Sequence, residues 1–275
     1  MNESVPMSAE PSYLRKADWA EQHLMELSKR VLAFMASEPY GVTDPIEDRR
    51  GRRTARLVFT DQPDSDIALI AGDVLYNLRT AFDYLVGSLV PPSERSKILC
   101  PLLHEPVWDI PHTEGESTEL TRNREKWESL TRRVKSDEAV EILKDLMPLD
   151  ARTPLPTMHP LDLLNRLSNR DRHRQLSVIA WGLGDARAKV VMKRSGEIRP
   201  AQFPDFDFTY RGFRDGADIP IDKNVAYVKL RGTPVVVMQV NDQWGNVLLP
   251  FGLMTILEWL RNEAIAKLAP YSLPA

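Results

Sequence analysis

Apolar residues recur through 12–37 at Ala17, Ala20, Leu24, Leu27, Val31 and Phe34. Steps of three and four put them on one face of an amphipathic helix, and Pro39 closes it. Residues 41–53 read as a charged loop and 54–60 as a short strand. Pro63-Asp64-Ser65-Asp66 is a good start signal for a second helix over 66–90, stopped by Pro91-Pro92. The stretch 93–156 is rich in Pro, Glu, Thr and Ser, with helical pieces at 120–133 and 137–146, and is expected as an irregular insertion on the flank of a bundle. A strong helix is predicted over 160–181, with Pro160 at its first position. Gly182-Leu183-Gly184-Asp185 then marks a change of period, and β-rich runs follow at 188–193, 206–211, 224–230 and 235–240. The last two read as a hairpin across Arg231-Gly232-Thr233-Pro234. A final amphipathic helix over 250–268 returns the chain to the bundle. The prediction is therefore an α+β fold: a bundle of about five helices with a small, mostly antiparallel sheet inserted over 185–242. Residues 1–275 are expected to form a single domain, since helices occupy both ends.

Composition narrows the class. With 43% hydrophobic and 27% charged residues, the chain is that of an ordinary globular protein, long enough to build a core without metal or disulfide. The one cysteine, Cys100, lies among apolar neighbours, which predicts a buried structural thiol and fits a reducing, cytoplasmic compartment. No basic-then-apolar leader opens the chain, and its longest apolar stretch, 67–90, is broken by Asp73, Asn77, Arg79 and Asp83. Neither a signal peptide nor a membrane span is expected. A net charge of −3 exerts no global pull on nucleic acid, so any such site must be a local patch.

Two helices carry polar groups where burial makes them costly. On 66–90, Asp73, Asn77, Thr80 and Tyr84 stack at steps of four, three and four beside the apolar face, and Arg79 and Asp83 form a possible ion pair elsewhere. On 160–181, Asn165, Asn169 and His173 occupy successive turns, with Arg166, Arg170 and Arg174 on the adjoining face. Arginines four apart repel unless anions or carboxylates neutralise them. Two readings follow. In the structural one, Asn and His cross-link to Asp73 and Asn77 while the arginines meet acids such as Glu119, Glu125 or Glu128. In the functional one, a guanidinium ladder for phosphates stands beside an imidazole able to move a proton near neutral pH.

Those two segments resemble a family of uncharacterised bacterial proteins. Its first motif is met by Gly72-Asp73, Asn77-Leu78-Arg79, Ala81 and Asp83, and its second by Asn169, Asp171-Arg172-His173-Arg174. Ser37-Glu38-Pro39-Tyr40 and Ala269-Pro270-Tyr271 look similar to it as well. A more remote resemblance is to HEPN domains, helical bundles whose signature is Arg, four to six residues, then His. Arg166 and His173 meet that spacing; Arg79 reaches Tyr84 instead, and Leu167 stands where a polar residue is usual. The resemblance implies a metal-independent ribonuclease with His173 as general acid or base and Arg166 stabilising phosphorane-like charge. Asn169 would then orient the imidazole, and Arg170 and Arg174 would hold phosphates. Such sites pair two copies, which implies a homodimer. The rival is a non-enzymatic interaction protein whose polar stripes, Asp73, Asn77, Asn165, Arg79 and Asp83 among them, are a buried structural network.

Other chemistries find little support. The five histidines (His23, His104, His112, His159, His173) show no metal-ligand spacing, so no metal or cofactor is expected. Gly182-Leu183-Gly184-Asp185 lacks the Lys-Ser/Thr of a phosphate loop and reads as a helix stop. The Arg49-Arg50-Gly51-Arg52-Arg53 cluster reads as a solvated loop.

Overall fold

A computed structural model of the chain describes residues 10–97, 100–101, 103, 106–111, 117–148, 159–173, 176–200, 216, 218–241 and 245–274. The side chains of 96–97, 170–173, 184–188, 190, 220, 239–241 and 245 fall outside the described set. So do the run at 206–211, Arg174, His104 and His112. The fold is α+β, and among the described residues no helix is long and apolar enough to cross a membrane.

Helix α1 (Ser12–Ala36) buries Ala17, Ala20, Leu24, Leu27 and Val31. Helix α2 (Ser65–Ser88), capped by the Asp64 carboxylate on the Asp66 N–H, runs back along it. The antiparallel register is fixed at one end by Lys16 with Asn77 and at the other by Arg30 with Asp66. Because α2 lies at the centre of the bundle, it is buried over more than half its circumference, from Ile67 to Leu85 and on to Val86. Helices α3 (Thr118–Thr131) and α4 (Asp137–Asp145), each opened by a serine hydroxyl accepting a backbone N–H, add Trp127, Leu130, Ala139 and Leu143 to the same core. The segment expected as a flanking insertion thus contributes to the main core. Helix α5 (Pro160–His173) packs against α2, and α6 (Phe251–Trp259) closes the bundle. There Trp259 meets Phe82 of α2 with ring centroids 5.8 Å apart. The chain continues from α6 through a π-helical turn, Leu260–Ile265, to α7 (Ala266–Leu268).

Two sheets accompany the helices. In the first, β3 (Arg53–Phe59) pairs on one flank with β1 (Tyr40–Val42) and β2 (Ile46–Glu47) and on the other with β6 (Asp218–Ile221), all antiparallel. In the second, the order is β5 (Ile198–Pro200), β4 (Val178–Met192), β7 (Val225–Asn241), β8 (Gly245–Leu248). Strands β4 and β7, 15 and 17 residues long, are the spine of the molecule. At one end their Val178, Val236 and Met238 belong to the helical core. At the other, Leu183, Val225 and Val228 join Ala55, Leu57, Ile219 and Ile221 in a second, smaller core between the sheets. The Tyr40 hydroxyl clamps β7 midway, donating to the Gly232 carbonyl at 2.9 Å and accepting its N–H at 3.0 Å.

The structure corrects four boundaries. The helix predicted to reach residue 181 ends at His173, because Val178 and Ile179 pair with Met238 and Val237 of β7. Gly182 and Gly184 are therefore strand residues flanked by register shifts, not a helix stop. The expected hairpin over 224–240 is one strand, and Pro234 is tolerated inside it because β8 accompanies β7 only from Val237 to Asn241. The loop over 41–53 contains β1 and β2, and the sheet reaches beyond 185–242 at both ends.

Candidate functional site

The polar stripe of α2 is buried at one point. Asn77 is 7% exposed. Its Nδ2 donates to the Asp73 carbonyl at 2.8 Å, and its Oδ1 accepts from Lys16 Nζ at 3.0 Å. Lys16 also sits 5.2 Å above the Tyr76 ring. Asp73, by contrast, is exposed, Thr80 bonds back to the Tyr76 carbonyl, and Tyr84 faces solvent. The stripe therefore meets α1 at Lys16, not α5 as the spacing had suggested. Asn165 and Asn169 find each other instead, Nδ2 to Oδ1 at 3.1 Å.

The Arg79–Asp83 pair forms as its spacing predicts. Arg79 Nε donates to Asp83 Oδ2 at 3.0 Å while Nη2 lies 3.0 Å from Oδ1, a two-pronged contact of the kind planar guanidinium favours. Nη2 also donates to the Cys100 carbonyl at 3.2 Å, so the pair fastens α2 to the segment that follows it.

On α5 the decisive residue is one the ladder reading passed over. Asp162, 3% exposed, accepts the Arg166 Nε–H on both carboxylate oxygens at 3.0 Å. The signal was present as an Asp-x-x-x-Arg spacing of four. Arg166 thus meets a carboxylate on its own helix, not Glu119, Glu125 or Glu128. Just ahead of α5, His159 Nδ1 accepts the Leu161 N–H at 3.2 Å, and its ring stands edge-on to Trp259 at 5.4 Å. Burial pulls the imidazole below its ordinary pKa, and the Asp162 charge pulls weakly the other way. The Arg170 and His173 side chains and all of Arg174 lie outside the described residues. The backbone of α5 is helical through His173, so positions 166 and 173 share one face two turns apart.

Among the described residues no cluster of three metal-ligating side chains occurs. Compared with family models, curated proteins and solved structures, the chain matches none.

Proposed function

We propose that this is a non-enzymatic interaction protein in which the polar residues of α2 and α5 are structural, fastening α2 to its neighbours and pairing along α5. The observation that carries this reading is Asp162, a buried carboxylate that takes the Arg166 guanidinium at 3.0 Å. A guanidinium committed to a carboxylate in this way is a weaker anchor for a phosphate, and its removal takes a partner from a buried anion. Asn77 and the Arg79–Asp83 pair support the same reading, each joining α2 to another part of the chain.

A second reading is favoured by one observation, the unbroken helix through His173. It is a HEPN-like, metal-independent ribonuclease working as a homodimer, with His173 as acid or base, Asn169 orienting it, and Arg170 and Arg174 on phosphates. The two separate on a pair of variants. Under the structural reading, Arg166→Ala lowers stability by about 1–3 kcal/mol in a denaturant titration and His173→Ala changes no RNA chemistry. Cleavage of a labelled RNA in EDTA by the wild type, lost in His173→Ala with an unchanged melting temperature, would reverse the choice.

A further inference from the structure

The outer face of the β5–β4–β7–β8 sheet carries a feature that no spacing in the sequence announces. Its inner face, with Val225, Val228 and Leu230, turns toward the second core. Residues Tyr227, Lys229 and Arg231 alternate onto the outer face and are all exposed. The register sets Lys189 directly across from Lys229. The Lys189–Lys229 row places like charge opposite like charge, an arrangement that costs stability in a sheet, and Arg231 adds a third cation roughly 7 Å further along β7 on the same face. Among the described residues, the ion pairs of this lobe are made elsewhere, by Arg199 with Glu197, Arg56 with Asp218 and Arg52 with Asp48. Next to this basic row comes an apolar one, Ile198, Val191 and Tyr227, of which Ile198 is 55% and Tyr227 43% exposed. The Lys229 ammonium lies 5.8 Å from the Tyr227 ring centroid.

We infer that this face binds single-stranded RNA. The charge complementarity favours a polyanion with regularly spaced charges: Lys189, Lys229 and Arg231 share one exposed face, and an anion between them would relieve the repulsion the register creates. The aromatic beside them selects nucleic acid over an acidic peptide, since an exposed ring flanked by cations is a stacking platform for a base. The net charge of −3 explains why the surface must be local. This inference supplies a partner for the interaction-protein reading, uses no residue of α5, and is tested on different variants.

The test is fluorescence anisotropy of the full chain with a labelled oligouridine, in EDTA, over a salt series. Three phosphate contacts predict a log–log slope of roughly −2 for a single strand. Lys229→Glu weakens binding and flattens that slope by roughly 0.7, while its melting temperature holds or rises, because Lys189 now faces an opposite charge. Tyr227→Ala costs about fivefold or more in affinity at an unchanged slope, the mark of a lost stacking contact. Wild-type protein with no salt-dependent binding overturns the inference. So does displacement of the RNA by polyglutamate at equal charge, which would assign the face to an acidic peptide. So, too, does loss of binding in Arg170→Ala with Lys229→Glu unaffected, which would move the RNA to α5.

Discussion

Cys100 and His159 show how burial sets side-chain chemistry here. Burial pushes the Cys100 thiol up to about 12, the Arg79 charge opposing and the Asp83 charge adding. Thiolate is the reactive form, so native protein is expected to resist an aromatic disulfide reagent at neutral pH and to react in full once denatured. His159 works through protons. Its folded-state pKa is depressed, so as pH falls below about 6.5 the unfolded chain binds the proton first and stability declines. A denaturant-midpoint series across that range is expected to slope downward for the wild type and to flatten in His159→Gln. The Arg79–Asp83 contact was legible as a spacing of four, and so in principle was Asp162 with Arg166. Asn77 with Lys16 was not, because a hydrogen bond across 61 residues depends on how α1 and α2 are rotated against each other.

Elements carried more of their own signal than their boundaries did. Helices α1 and α2 follow from periodicity and from the Asp64 start signal, and α3 and α4 were legible as helical pieces, their serine caps emerging only in the structure. The end of α5 did not, because 178–181 continues an apolar pattern that a helix and a buried strand share. Pairing with β7 decides the matter, and that partner lies nearly sixty residues away. The packing of α6 on β8 is equally invisible in a pattern. A Cβ at Gly252 would fall 2.2 Å from Val247 Cγ1, and that valine is buried and stiff about χ1. Gly252→Ala is thus expected to cost about 1–3 kcal/mol in a thermal or denaturant titration, despite alanine's better helix propensity. A companion Val247→Ala should recover part of the loss, since it removes the methyl in the way.

At the scale of the whole molecule, two hydrophobic cores share the strands β4 and β7. The α+β class was readable from the change of period along the chain; the second core was not, because it joins residues 55–57 to 219–228. Sharing a spine predicts that the cores unfold together. Leu57 is fully buried in the smaller core, and Leu57→Ala is expected to cost about 2–5 kcal/mol. The loss should appear in intrinsic fluorescence, since Trp127 and Trp259 report on the helical core. An unshifted fluorescence midpoint, with the β-sheet signal melting early, would show instead two independent units.

The pairing of β3 with β6 has a further consequence, in time. Arg53 donates to the Asp222 carbonyl 169 residues away, whereas Arg30 of α1 meets Asp66 of α2 across only 36. Closing so long a loop costs entropy before any contact repays it. The α1–α2 hairpin is thus placed early on the folding route and the smaller core last. In a stopped-flow chevron, Leu57→Ala should leave the refolding limb almost where it was and speed unfolding, while Leu27→Ala, in the first helix, should slow refolding.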